Sequence, residues 1–439
     1  MNSISSRQKA SPAPAAMQTT HILALVLVLA LVLRLLNAFT LDPLLPYTDR
    51  GGDTAWYLQY GAMFLRGIET GPLTPPPLYL IFVGLPQLFI APELATIFIR
   101  VLQAVAGTVI CYFVFRLARE LAGTRAGLIA AALIALNPIF ILECGNITSE
   151  TLFLFFLTAA LTAYVEAVSR ADISIKRFAW VGLLFALATF TRAALLAFPL
   201  GILIHAALIY RPRDAFRVGM TILLVFLVVL STWTIYYKLR WDRWIIAGEG
   251  LAGFIYLGTV GWEGPFETDA RLEEIVSPDA ADAPREAQYV DAAANIITSD
   301  LGGYISRRVS EWAGAYLTPH GVYWFPGESL RELALRWLRE DFSANGFLRL
   351  VQGDAFVPKA AFYIIHYIGL VAGILGIYVS RRQWRKTLPL IGYIAYVSLM
   401  HLVLYALPRY IFPATLFYWV FASLWLSQMS VFRAHPKDA

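Results

Sequence analysis

The feature that most limits the fold of this chain is a succession of apolar runs, most of them about as long as a lipid bilayer is thick. A helix needs about 20 mainly apolar residues to cross the hydrocarbon core of a membrane. About ten such runs are present, and they cover residues 22–39, 94–121, 126–142, 151–168, 178–191, 193–210, 218–237, 360–379, 388–407 and 410–431. Inside lipid, every backbone polar group needs an internal hydrogen bond, which a helix supplies. We therefore predict an all-α polytopic membrane protein with about ten transmembrane helices.

The composition agrees with this class and argues against several others. Of the 439 residues, 58% are hydrophobic and 15% are charged, and the net charge is +5. A soluble domain could not cover so much apolar surface. The basic residues flank the apolar runs, so the positive charge indicates membrane topology, and no nucleic-acid partner is expected. The two cysteines, Cys111 and Cys144, form no disulfide framework, and no Cys/His motif indicates a metal site.

The distribution of Lys and Arg orients the chain in the membrane. Segment 71–93 has an apolar part shorter than a comfortable crossing, and Pro86 interrupts it, so we predict a surface-lying hairpin there. If this segment does not cross, the basic residues that follow the inward runs, such as those at 381–386, all lie in the cytoplasm. Both termini are then cytoplasmic, and the loop between the first two crossings is external.

This topology divides the chain into five regions. A tail rich in Ser, Ala and Pro is expected to be disordered in the cytoplasm, and a large region between crossings is expected outside. We expect this external region to be mainly helical, with a mobile acidic piece at 263–291 and an aromatic piece at 318–329 that lies on the membrane surface. The predicted regions are a tail at 1–20, an N-terminal transmembrane module at 21–237 with its first external loop at 40–93, an external (periplasmic) region at 238–358, C-terminal transmembrane helices at 359–432, and a cytoplasmic tail at 433–439.

Two carboxylates follow the first apolar run, in the stretch 46–67. Asp49 and Asp53 are separated by a pair of glycines, and the aromatic residues after Asp53 have the spacing of a short amphipathic helix on a membrane surface. Asp53 is expected at or just before the start of this helix. Two interpretations remain open here: the carboxylate caps the helix, or it accepts a proton from an incoming nucleophile at the membrane boundary.

The predicted topology also gathers other polar residues on the outer side. Each has a structural explanation when taken alone, such as an arginine that anchors a helix at the interface or a carboxylate that supports a helix start. Together, charges close to lipid are costly and indicate a functional cavity. Arginines suit a phosphate, and carboxylates suit proton abstraction from a hydroxyl; without a Walker or GxGxxG motif, a lipid phosphate fits better than a nucleotide. The residues concerned are Arg34, Asp49, Asp53, Arg100, Glu143, Glu150, Arg192, His320 and Arg409.

At this point the chain resembles the GT-C glycosyltransferases, and most closely the bacterial branch related to protein O-mannosyltransferases and to the lipid A aminoarabinose transferase. The resemblance covers most of the chain except 238–358, and it lies in the order and spacing of several loose motifs. These are Asp53 and Tyr57 followed by PPPLY, Arg100 in IRVLQAVAG, Glu150 in NITSETLF, Arg192 in ATFTRAALL, and Arg409 with Tyr410 in LPRYIFPATLF.

The resemblance implies the GT-C fold and a transferase at the outer face of the bacterial cytoplasmic (inner) membrane. Such an enzyme takes a sugar from a polyprenyl-phosphate donor and transfers it, with inversion, to a hydroxyl of a glycan, lipid or protein acceptor. Membrane lipids would be its other partners. The external region at 238–358, which lies outside the resemblance, is expected to place the acceptor.

The resemblance also implies roles for particular residues. Asp53 matches the catalytic base of the family, and Arg100 matches the arginine that binds the donor phosphate, with help from Arg34, Arg192 or Arg409. Many relatives carry a second acidic residue directly after the base, where this chain has Thr54. No metal or other cofactor is therefore expected. Substrate-binding roles are predicted for Asp49, Tyr57, Glu150 and Tyr410, and either Asp49 or Glu150 could supply the second negative charge.

Two other functions are compatible with parts of the sequence. A transporter or flippase of polyprenyl-linked lipid would have ionisable residues through the whole membrane depth and inverted repeats with broken helices. A non-catalytic assembly subunit would use Asp53 only as a helix cap. The charges of this chain crowd one side of the membrane and no repeat is visible, so the transferase is the favoured prediction.

Overall fold

The computed structural model describes residues 14–42, 53–68, 76–170, 172–248, 250–261 and 285–429. Three predicted features lie outside the described residues. They are Asp49, the terminal tails up to residue 13 and from residue 430, and the part of the acidic piece at 263–284. Every regular element within these ranges is helical, which confirms the all-α prediction. One helix differs at its start: it begins at Pro14, inside the segment predicted to be a disordered tail. Proline suits the first position of a helix, and the residues that follow it tolerate helix well.

The described part of the N-terminal module contains ten α-helices. Their bounds are α1 (Pro14–Thr40), α2 (Asp53–Leu65), α3 (Pro77–Gly84), α4 (Pro92–Ala122), α5 (Thr124–Leu136), α6 (Pro138–Glu143), α7 (Glu150–Val168), α8 (Ile175–Thr189), α9 (Phe198–Ile209) and α10 (Pro212–Trp241). α3 has 8 residues and is followed only by the 3-10 turn Pro86–Leu88. At about 1.5 Å per residue, this hairpin is far too short to cross a bilayer, in agreement with the surface-lying segment predicted there.

The rest of the described chain adds eight α-helices. They are α11 (Leu251–Val260), α12 (Arg285–Ser299), α13 (Leu301–Leu317), α14 (Leu330–Glu340), α15 (Ala344–Val351), α16 (Phe356–Val379), α17 (Trp384–Val403) and α18 (Pro408–Leu426). In the region predicted to be external, the described residues are mainly helical, as predicted. The aromatic piece at 318–329 does not simply lie on a membrane: His320 is buried, and the ring of Trp324 lies 6.2 Å from that of Phe362 in α16.

Nine of the ten predicted crossings each correspond to one α-helix in the expected order, and the run 126–142 is divided into α5 and α6 because Pro138 starts a new helix after Asn137. Among the described residues, six helices are long and apolar enough to span a membrane, and these are α1, α4, α7, α10, α16 and α17. α5, α8 and α9 have 13, 15 and 12 residues. The chain is a multi-pass membrane protein, while the count of about ten crossings stays a prediction.

The helices pack so that the C-terminal helix α18 lies against the N-terminal module. α4 lies against α1, α5 and α7, and α18 packs along α16 and also contacts α4 and α5. One close approach sets the position of α2 on α3: a Cβ added to Gly84 would lie 2.2 Å from the carbonyl oxygen of Gly61. Any side chain there would push the two helices apart, so glycine at this contact keeps α2, with Asp53 at its start, close to the bundle.

Candidate functional site

Four charged side chains meet at one end of the helix bundle, and each comes from the end of a different element. Asp53 is the first residue of α2, and Glu150 is the first residue of α7. Arg192 follows α8 directly before the 3-10 turn Ala193–Leu195, and Arg409 is in the first turn of α18. The partial positive charge at a helix N-terminus favours the carboxylates of Asp53 and Glu150. We call these four residues the charged cluster.

Arg409 links the two carboxylates of the charged cluster. Its Nε and Nη2 donate to the Glu150 carboxylate, with an Nη2–Oε2 distance of 3.1 Å, and its Nη1 donates to Asp53 Oδ2. Asp53 and Arg409 are 356 positions apart in the chain. Capping of α2 by Asp53 would need only local contacts, so it does not account for this long-range ion pair.

The two carboxylates differ in their exposure to solvent. The Glu150 side chain is 0% exposed, whereas the Asp53 side chain is 56% exposed. A buried carboxylate needs charged partners to offset its desolvation, and Glu150 has two, because Arg192 Nη1 also donates to its Oε1. Glu150 therefore holds both arginines, while Asp53 keeps access to molecules from outside.

Aromatic rings surround the charged cluster. The Arg192 guanidinium lies 5.9 Å from the ring centre of Phe153 and 5.8 Å from that of Tyr410, within the range of cation–π attraction. Tyr57 lies one turn after Asp53 on α2, and its ring packs edge-on against Tyr79 at 4.7 Å. Burial raises the pKa of Tyr57, so its hydroxyl stays protonated at neutral pH and can donate a hydrogen bond.

Arg100 and Arg34, the other two predicted phosphate ligands, bind backbone carbonyls instead. Arg100 donates from Nε to Gly145 O at 3.0 Å, and from Nη1 to the carbonyls of Leu41 and Asp42 at 3.1 Å. Arg34 donates from Nη2 to Ile134 O at 3.1 Å, near the C-terminus of α5. Both are almost fully buried, with 4% and 1% exposure. The structure thus brings Arg192 and Arg409 into the charged cluster and gives Arg100 and Arg34 bonds that join α1, α4, α5 and the turn before α7.

Glu143 and His320, which the sequence placed on the outer side without a role, form a second buried pair. His320 Nε2 donates to Glu143 Oε2 at 2.8 Å, and the Thr148 hydroxyl donates to Glu143 Oε1 at 2.7 Å. Exposure is 2% for Glu143 and 3% for His320. The two residues are 177 positions apart, so only their isolated polar character in apolar surroundings hinted at them in the sequence.

The expectation that no metal is required stays a prediction, and features of the described residues bear on it. Among the described residues, no group of three or more His, Cys, Asp or Glu side chains lies close enough to hold one. Both carboxylates of the charged cluster already face guanidinium groups, and Thr54 supplies no second acid beside Asp53. A cation here would have to displace arginines that repel it.

A family model gives the first comparison with known proteins. The model of the dolichyl-phosphate-mannose-protein mannosyltransferase family matches residues 75–236, which is less than half of the chain. This range contains Arg100, Glu150 and Arg192, and it leaves out Asp53 and Arg409. No curated protein matches the chain in sequence.

Solved structures give the second comparison. Archaeal oligosaccharyltransferase AglB from Archaeoglobus fulgidus, in complex with an inhibitory peptide and a dolichol-phosphate, superimposes with a TM-score of 0.56 at 14% identity over 94% of this chain and 50% of that chain. Its apo form gives 0.53 at 15% identity over 93% and 50%. The alignment with ArnT from Cupriavidus metallidurans bound to undecaprenyl phosphate covers 94% of this chain and 78% of that chain at 15% identity. Its TM-score of 0.40 is too low to support a structural comparison.

These likenesses define a class of fold. The chain has the fold of the GT-C membrane glycosyltransferases, as the resemblance of its motifs predicted. It spans about half the length of the archaeal oligosaccharyltransferase. At such low identity a structural likeness shows fold alone, so the activity has to be argued from the charged cluster.

Proposed function

We propose that the protein transfers a sugar from a polyprenyl-phosphate donor to an acceptor hydroxyl, with inversion, at the outer face of the bacterial cytoplasmic membrane. The observation that carries this proposal is the Arg409 bridge between buried Glu150 and exposed Asp53. The bridge puts an accessible carboxylate beside two arginines at the end of membrane-spanning helices. The fold, the match to a family of lipid-phosphate mannosyltransferases, and the dolichol-phosphate of the archaeal complex support the same class of donor.

In this proposal, Arg192 and Arg409 bind the donor phosphate. Arginine has five N–H donors, and its planar fork suits phosphate oxygens. Within the described residues, only Nη1 of Arg192 makes hydrogen bonds, which leaves Nε and Nη2 able to donate to a ligand. Arg100, the arginine that the family resemblance selected, has its donors directed at backbone carbonyls and is assigned a structural role, as is Arg34.

Asp53 acts as the general base. Its Oδ2 accepts from Arg409, and its Oδ1 accepts no hydrogen bond within the described residues, so Oδ1 can take a proton from the acceptor hydroxyl. As that proton moves to Asp53, the acceptor oxygen bonds to the anomeric carbon and the bond from this carbon to the phosphate oxygen breaks. Attack from the side opposite to the leaving phosphate inverts the anomeric centre.

The charge balance of this step explains why Arg409 touches both carboxylates. Asp53 starts with a negative charge and ends neutral, and the leaving polyprenyl phosphate gains the charge that Asp53 loses. Arg409 lies beside Asp53 and, in the proposal, beside the phosphate, so one guanidinium stabilises the charge before and after transfer. Glu150 keeps this guanidinium in place, and such preorganised charges lower the barrier without further rearrangement.

The proposal is tested with purified protein in proteoliposomes and a panel of undecaprenyl-phosphate hexoses and pentoses. We expect undecaprenyl phosphate to be released from at least one donor when membrane extracts supply the acceptor. Mass spectrometry of envelope glycans and glycolipids from a strain that lacks the gene would identify the sugar and the acceptor. Lipid translocation without release from any donor would contradict a transferase and favour the flippase.

A further inference from the structure

We propose, on the basis of the function above, that Glu143 and His320 are positioning residues of the transfer reaction. In this inference the pair holds the external segment 318–325 as a wall beside the charged cluster and keeps water away from the donor. Neither residue is expected to touch the sugar. The pair acts on the chemistry through the residues that it holds.

The geometry ties the wall to the two sides of the charged cluster. The His320 ring lies 4.4 Å from the ring of Phe412, which is one turn after Arg409 on α18. On the other side, Glu143 accepts hydrogen bonds from Thr148 at 2.7 Å and from Asn146 at 3.3 Å, in the turn that leads into Glu150. The pair therefore connects the external segment to the helix starts that carry Arg409 and Glu150.

Burial makes this connection sensitive to the loss of one partner. Because both side chains are almost fully buried, removing His320 takes one of three donors from a desolvated carboxylate. Glu143→Gln leaves the imidazole N–H with only a neutral amide oxygen as its acceptor. Loss of one member of a buried hydrogen-bonded pair costs more than loss of an exposed one, because the remaining group stays desolvated without its partner. We expect the segment 318–325 to separate from the bundle rather than leave such a group unpaired.

An open wall would change the products of the reaction. Water that reaches the anomeric carbon can replace the acceptor: its oxygen bonds to this carbon, Asp53 takes its proton, and the bond to the phosphate oxygen breaks. The products are free sugar and polyprenyl phosphate. Closed active sites suppress such hydrolysis by excluding water, so the pair should set the ratio of transfer to hydrolysis.

The kinetic test uses the undecaprenyl-phosphate sugar that the wild type accepts in the panel. For His320→Ala and Glu143→Gln we expect total turnover to fall by about tenfold, and the fraction released as free sugar to rise by about tenfold, because misplaced groups lose rate and admit water. His320→Gln should restore part of both values, since its amide can donate to Glu143. The double variant should be no worse than the single ones, as expected for two residues that act as a unit. His205→Ala is the matched control, because His205 is equally buried and bonds to the Tyr164 hydroxyl and the Arg385 carbonyl instead of to Glu143.

A second measurement needs no turnover. Ser149 is 2% exposed beside Glu150, so Ser149→Cys in a background without Cys111 and Cys144 should react slowly with a water-soluble thiol reagent. Adding His320→Ala should speed labelling by about tenfold or more if the wall opens. Unchanged labelling, or an unchanged free-sugar fraction in an active enzyme, overturns the inference. Faster labelling in a protein that releases sugar from no donor would support the wall while contradicting the proposed transferase.

Discussion

Two pairs of arginines lie at the same end of the helix bundle and differ in what they bind. Arg34 and Arg100 donate to backbone carbonyls and are buried. Arg192 and Arg409 donate to side-chain carboxylates, and their side chains are 14% and 21% exposed. A backbone carbonyl is fixed by the fold and cannot move away from its arginine. A side-chain carboxylate can share its arginine with an incoming phosphate. The partner of an arginine, rather than its place in the sequence, therefore separates a structural role from a binding role.

The largest effect is expected at the exposed carboxylate of the charged cluster. Asp53→Asn should lower sugar transfer by about 10²–10⁴-fold, because an amide cannot take the acceptor proton. Asn can still accept a hydrogen bond from Arg409 and cap α2, so melting temperature and binding of undecaprenyl phosphate should stay near wild type. The measurement is the release of undecaprenyl phosphate, made together with the melting temperature and the affinity for undecaprenyl phosphate as controls. Asp49→Asn, a nearby carboxylate without a match in the family, should matter less.

Two results would contradict the assignment of Asp53 as the general base. Turnover close to that of the wild type in Asp53→Asn would end its assignment as the base. Loss of folding in the same variant would make Asp53 a structural residue, and the comparison between exposed and buried carboxylates would then lose its meaning.

A smaller but clear loss of stability is expected for Glu150→Gln. This change leaves Arg192 and Arg409 without their shared buried partner, and breaking a buried ion pair in this way costs about 3–5 kcal/mol. Glu166→Gln is the matched control at the other end of α7, where Glu166 pairs with Arg116 and the two side chains are 18% and 31% exposed. Partly exposed pairs contribute about 0–1 kcal/mol. Equal losses of thermal stability in the two variants would argue against a special role for Glu150.

The comparison of arginines can be tested directly with undecaprenyl phosphate as the probe and undecaprenol as the control without phosphate. Arg192→Ala should weaken binding of undecaprenyl phosphate by about tenfold, through loss of a charge-assisted hydrogen bond. Arg100→Ala should instead lower the melting temperature and leave the affinity of the folded protein unchanged, since it releases only backbone carbonyls. If Arg100→Ala weakened the affinity and Arg192→Ala lowered only the melting temperature, Arg100 would be the phosphate ligand, as the family resemblance implied.

The smallest effect is expected at Tyr57. Tyr57→Phe removes one hydroxyl donor at the edge of the charged cluster and keeps the ring that packs on Tyr79. A single neutral hydrogen bond contributes about 0.5–1.5 kcal/mol, so transfer should fall by about twofold to tenfold. Tyr60→Phe is the control, because the Tyr60 ring stacks on Trp56 at 4.3 Å on the same helix. A similar loss in both variants would point to general disturbance of α2.

The helices were the most predictable part of this molecule. Apolar runs such as 360–379 and 388–407 correspond to α16 and α17, and the interruption at Pro86 predicted a short element where the 8-residue α3 and a 3-10 turn lie. These signals are local, because an apolar run and a proline each affect only the segment in which they lie. The start of α1 was missed, since a weakly polar segment such as 14–20 can continue a helix without an apolar signal.

The sequence predicted the types of residue in the candidate site, but only partly which individual residues belong to it. Asp53, Glu150, Arg192 and Arg409 were all named from the sequence, and the structure brings them together. Arg100 was expected beside them, but its guanidinium turns to the carbonyls of Leu41, Asp42 and Gly145. An arginine in an apolar run looks the same in sequence whether it will donate to a backbone carbonyl or to a carboxylate.

The sequence by itself therefore determined a multi-pass helical membrane protein and a set of charges that lipid cannot tolerate without partners. Only the tertiary structure decided which charges are partners, that Arg409 joins Asp53 to Glu150, and that His320 meets Glu143 across 177 positions. The physical reason is range. Burial of apolar runs follows from each segment alone, whereas an ion pair needs two side chains within about 4 Å, and only the packing of distant helices brings them that close.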